Sequence, residues 1–176
     1  MSEAAGSNRL QNFFSGVSEW IFQSQLGVAD PPLIDYLSHM LVRFLRSDAV
    51  YRIRNPKGKR MSNIGEMMVE ADERIGPARR EVHRHIGDFT LFWAGLFPES
   101  LRSRKDQPGD EYLSYCAQGK RAYWIASSIE LEDEAKPSAD VLARLSCEFE
   151  LCAYGLREVR REWESSDDGE PGLLLG

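Results

Sequence analysis

No apolar run in this 176-residue chain is long enough to cross a membrane. The longest charge-free apolar stretch, residues 89–98 (FTLFWAGLFP), is about half of the roughly 20 residues a spanning helix needs. The opening residues are polar and small and lack the basic region and apolar core of a secretory leader, so a cytoplasmic location is expected. Cysteine is scarce. Cys116, Cys147 and Cys152 are an odd number with no C-x-x-C spacing. They fit a reducing compartment better than a disulfide framework, fall short of a thiolate-zinc or thioredoxin-like site, and are expected to be small core hydrophobes. Sustained apolar–polar alternation is missing, as are internal repeats and low-complexity tracts, so nothing argues for sheet or solenoid. No P-loop, dinucleotide fingerprint, nucleophile elbow or zincin pattern occurs, and no cofactor is expected.

What is present is ordinary for a globular protein: 42% hydrophobic and 28% charged residues. Eight Phe, six Tyr and four Trp exclude disorder throughout, because so many aromatics need burial. Helical periodicity, punctuated by Gly and Pro, predicts an all-α, single-domain bundle of about six helices. The expected helices cover residues 9–25 (closing at Gly27), 31–47 (capped by Asp30), 63–75 (capped by Ser62), 77–97, 108–129 and 139–163. Residues 51–54 read as strand-like and residues 55–58 as a turn. Residues 1–8 are expected to be a flexible terminus, residues 9–164 the bundle and residues 165–176 a flexible acidic tail. The four tryptophans, Trp20, Trp93, Trp124 and Trp163, fall on four different helices, with a default role as bulky anchors.

Two helices carry more apolar surface than one face can bury. The last has a stripe of Val141, Leu145, Phe149, Cys152, Leu156, Val159 and Trp163, and a second, roughly opposite, of Cys147, Leu151 and Tyr154. That second stripe calls for another helix or another subunit, hence an expected homodimer. The fifth helix is apolar on nearly every side (Tyr112, Tyr115, Cys116 and Tyr123; Leu113, Ala117 and Trp124), which predicts a central, aromatic-rich position. Gly119 there costs about 1 kcal/mol of helix propensity, a sign of close approach by a neighbour or a ligand. Tyr112, Tyr115, Gly119 and Tyr123, with Trp93 of the fourth helix, are therefore candidate ligand-binding residues, though tyrosines are also good core filler.

Chemistry concentrates at residues 78–88 (ARREVHRHIGD). His85 projects from the middle of an apolar face made by Val82, Ile86, Phe89, Phe92, Trp93 and Leu96, with Glu81 and Asp88 one turn away on its border. A histidine among aromatics with flanking carboxylates has the parts for acid/base work or metal ligation. A core histidine bonded to Glu81, Asp88 or a tyrosine of the fifth helix is the competing reading. His83 lies about 160° around the helix from His85, so the two cannot chelate one metal. The Glu-x-x-His pairs of a di-iron bundle are absent, and a mononuclear site would need distant help for Glu81 and His85, for instance from Glu148. Arg80 and His85 resemble the Arg-x4–6-His motif of HEPN domains, in which Arg and His act in RNA cleavage at a dimer interface. The likeness covers about six residues, departs from the pattern at Glu81, and leaves the two side chains about 140° apart on a regular helix.

Charge is uneven. Seven basic residues between Arg43 and Arg60 stand against Asp48 alone, whereas residues 140–170 hold four arginines and nine acids. Within the basic segment, Arg52, Arg54, Lys57, Lys59 and Arg60 are candidate anion-binding residues. The overall charge of −6 argues against nucleic acid as the partner. A non-catalytic protein-interaction or small-ligand-binding role is the expected function. The alternative is a helical enzyme using His85 with Glu81 or Asp88, or an RNase-like Arg80/His85 site.

Overall fold

The computed structural model describes residues 2–45, 63–101, 110–134 and 136–166. Among them the protein is an all-α bundle: α1 (Ser2–Glu19), α2 (Pro31–Leu45), α3 (Ile64–Glu73), α4 (Gly76–Leu96), α5 (Asp110–Ser128), α6 (Ala139–Cys147) and α7 (Phe149–Ser166). The basic anion-binding candidates Arg52, Arg54, Lys57, Lys59 and Arg60, the strand-like segment and turn near them, and most of the acidic tail lie outside the described residues.

Helix ends follow local chemistry. Asp30 caps α2, its Oδ1 accepting from the Leu33 N–H at 3.3 Å, and two prolines fill the first turn. Ser138 caps α6 in the same way. Asn63, rather than the expected Ser62, caps α3 through the Gly65 N–H at 2.7 Å. Helix α1 starts at Ser2, earlier than residue 9, where the alanine-containing start of the chain favours a helix. It then widens into a π-turn over Trp20–Gln25 that buries Ile21 and Phe22, and it closes at Gly27 with φ 69°. The single long helix expected over residues 139–163 is two. Glu148 leaves helical geometry (φ −105°, ψ 25°), yet the apolar stripe from Val141 to Trp163 is buried across the joint.

The hub of the bundle is α4, not the expected α5. Fourteen of its residues are buried, from Arg80 to Leu96, and α5, α7 and α3 pack around it. Small residues permit this: a Cβ on Gly87 would stand 2.5 Å from the Tyr123 ring. Helix α5 has an outer side. Leu113 is 66% and Trp124 56% exposed, with Ala117 between them, so apolar character on every side did not mean burial on every side. Of the four tryptophans only Trp163 is buried.

Candidate functional site

The polar centre of the fold is Asp88, 2% exposed on α4. Its Oδ1 accepts from the Tyr36 hydroxyl at 2.5 Å and the Tyr123 hydroxyl at 2.6 Å, while its Oδ2 pairs with the Arg43 guanidinium at 2.5 Å. Arg84 closes the cluster, donating to the Tyr36 oxygen at 3.1 Å and reaching Glu81 at 3.2 Å. Burial, then Asp88, pushes both phenols well above their usual range. Burial works against the charge of Arg84, but Tyr36 and Asp88 hold the guanidinium charged. A carboxylate offers about four lone-pair sites; three are occupied by donors here, and the Arg84 guanidinium lies 4.0 Å from Oδ2. This cluster is therefore a closed bolt between α2, α4 and α5.

The other expected residues disperse. The ring of His85, buried, stacks on Phe44 at 5.8 Å and lies beside Phe89 at 6.3 Å. Arg80 turns to the α5–α6 connection and donates to the Pro137 carbonyl at 2.5 Å. The two are not brought together, so the HEPN-like pair does not assemble within one chain. Glu81 is engaged by Arg84. Trp93 joins an aromatic ladder with Phe92 and Phe97 at 5.7 and 5.6 Å. Tyr115 packs near Phe89 at 6.4 Å, and the half-buried Tyr112 is pushed up by burial and by Cys116. A Cβ on Gly119 would collide with Thr90 and Phe149, so close approach of helices, not of a ligand, explains this glycine. Among the described residues no group of three His, Cys, Asp or Glu could hold a metal ion. Burial pushes the Cys152 thiol up to about 12 and raises Cys116 too, which makes both poor nucleophiles.

A different place has open polar capacity. On the side of α4 away from His85, a cavity of about 70 Å³ opens between α3, α4 and α5. His83 and Arg79 of α4, Gln118 and Arg121 of α5, and Asp72 of α3 line it with Met68, Ile86, Ala122 and Ile125. His83 is 5% exposed, and its Nε2 has no hydrogen-bond partner; the buried Nε of Arg79 has none either. No family model, curated protein or solved structure matches this chain. Chemistry must therefore be read from the site itself. Burial, then Arg79, holds His83 below the usual histidine range; Arg121 adds to this and Asp72 opposes it. The ring is thus neutral at pH 7, poised to accept or donate one hydrogen bond. None of the catalytic, ligand-binding or anion-binding candidates from the sequence lines this cavity. Its signal was present in Arg79 and His83, one helical turn apart, but helix spacing alone does not show that α3 and α5 close over them.

A broader depression of about 670 Å³ lies at the α5–α6 connection, beside Arg80, Glu130, Asp133 and Glu134. The acids there are exposed, so water already satisfies them.

Proposed function

We propose that the protein is a non-catalytic helical domain that binds a small ligand in the cavity between α3, α4 and α5. The observation that carries this reading is the pair of buried, unpartnered nitrogens, His83 Nε2 and Arg79 Nε, at a cavity. Leaving such a group dry costs about 1–3 kcal/mol, which a ligand group or water in the cavity offsets. An enzyme built on His85 with Glu81, Asp88 or Arg80 has weaker support, because Asp88, Glu81 and Arg80 are committed to protein partners. The test is a thermal-shift survey of small metabolites on the wild type and on His83→Phe. Compounds that raise the Tm of the wild type but not of the variant are expected; a survey in which none does so rejects the reading.

A second reading, self-association, has its own support. The second stripe of the α6–α7 segment stays outside: Cys147 and Tyr154 are exposed and Leu151 is half-buried. The Lys120–Glu150 ion pair, 2.9 Å, joins it to the outer side of α5 that carries Leu113, Ala117 and Trp124. This face, apolar on two helices with one charge of each sign at its middle, suits a second copy of itself about a twofold axis. Three free thiols support a reducing, cytoplasmic setting. Among the described residues no helix is long and apolar enough to cross a membrane.

A further inference from the structure

The lining of the α3–α4–α5 cavity points to the kind of ligand it takes. Two guanidinium groups, Arg79 and Arg121, face a single carboxylate, Asp72, which leaves the lining one positive charge in surplus. That surplus stands out in a chain whose net charge is −6. The hydrogen-bond inventory leans the same way. Arg79 and Arg121 supply N–H donors, the Gln118 amide nitrogen keeps one N–H beside its bond to the Ser114 hydroxyl, and His83 Nε2 supplies another in the tautomer that carries its proton there. Asp72, which with the Gln118 amide oxygen supplies the acceptors, and Arg121 are both exposed, whereas His83 lies deep. Size narrows the choice. At about 70 Å³ the cavity is well below the roughly 150 Å³ that admits benzene, but larger than one water requires.

We propose that this cavity is a binding site for a small oxyanion, a carboxylate or phosphate group, held by His83, Arg79, Arg121 and Gln118. The assignment rests on the small-ligand reading above and gives it a chemical class. The anion's oxygens accept from Arg79 Nε and His83 Nε2, the two nitrogens of the cavity lining that have no hydrogen-bond partner. Apolar walls from Met68, Ile86 and Ile125 exclude water around those bonds and strengthen them. Because His83 is held neutral by burial and by two arginines, an anion beside it favours uptake of a proton. Binding of the anion and protonation of His83 are therefore coupled, each promoting the other.

Ring C–H signals of the full chain, with His83 assigned by its loss in His83→Gln, provide the test. Titrations use inorganic phosphate and, separately, acetate, against chloride at matched ionic strength. The expected result is a saturable shift of the His83 signal with phosphate or acetate, and a raised apparent pKa of that ring. Whichever of the two acts identifies the source of the oxyanion. Arg79→Leu is expected to weaken the response about tenfold or more. Gln118→Ala, at a half-buried position, provides a milder loss should Arg79→Leu unfold the protein. A His83 signal that ignores both anions, or follows chloride equally, overturns the oxyanion assignment and leaves ordered water as the occupant. If neutral compounds then still raise the Tm of the wild type and not of His83→Phe, small-ligand binding survives without the oxyanion; if none does, both fall.

Discussion

Asp88 and His83 sit on the same helix and illustrate two fates of a buried polar group. Asp88 is surrounded by donors from Tyr36, Tyr123 and Arg43, so its desolvation is offset within the protein. Removing its charge leaves a partly buried guanidinium without a counter-ion. Asp88→Asn is expected to lower the unfolding free energy by about 3 kcal/mol in urea titrations. A loss below about 0.5 kcal/mol would mean that the cluster is effectively solvated. His83, by contrast, is kept below the histidine value of 6.5 by burial and Arg79. The unfolded chain takes up this proton near pH 6.5 while the fold resists it. The unfolded state then binds more protons, so this contribution to stability is present above pH 6.5 and is lost as the pH falls toward the folded pKa. In that window the wild type is expected to lose stability relative to His83→Phe, by at most about 1.4 kcal/mol per pH unit. Parallel curves for the two proteins would place His83 in solvent. At this scale the sequence marked Asp88 through its turn spacing to His85. It could not show Tyr36 or Arg43, which arrive from a helix some fifty residues away in the chain.

Helices were legible where caps and breakers are local. Asp30, Gly27, the Gly76-Pro77 pair, Pro98 and Ser138 all mark ends within a residue or two of those observed. The joint at Glu148 was not, because the apolar spacing from Val141 to Trp163 runs through it unbroken and only tertiary packing reveals the bend. Glycines on two helices separate intrinsic propensity from packing. A Cβ at Gly16 on α1 would meet nothing within 4 Å, whereas at Gly155 on α7 such an atom would overlap the Phe22 ring. Gly16→Ala is expected to raise stability by about 0.5–1 kcal/mol through helix propensity alone. Gly155→Ala gains the same propensity and loses more, about 1–3 kcal/mol, to overpacking. Thermal melts of the two variants should move in opposite directions; a stabilised Gly155→Ala would show that α7 and the π-turn do not pack as described.

Over the whole molecule, an all-α bundle was legible because period and punctuation agree along the chain, while its centre was not. Helix α5 is richer in apolar residues than the hub α4, whose buried Asp88 is satisfied by Tyr36, Tyr123 and Arg43 and whose buried Arg80 by the Pro137 carbonyl. The apolar surplus of α5 and α7 lies outside, and a second copy covering it predicts a dimer by light scattering at micromolar concentration. Trp124→Glu, which puts a charge into that face, should give a monomer of unchanged helicity; a wild type that is already monomeric contradicts the self-association. The most direct test of the central claim, that the protein binds through the α3–α4–α5 cavity, is a high-resolution crystal structure grown with inorganic phosphate as the only oxyanion. It is predicted to show a tetrahedral anion within hydrogen-bond distance of His83 Nε2 and Arg79 Nε. Water alone in that cavity, or both nitrogens bonded to protein groups, would contradict it.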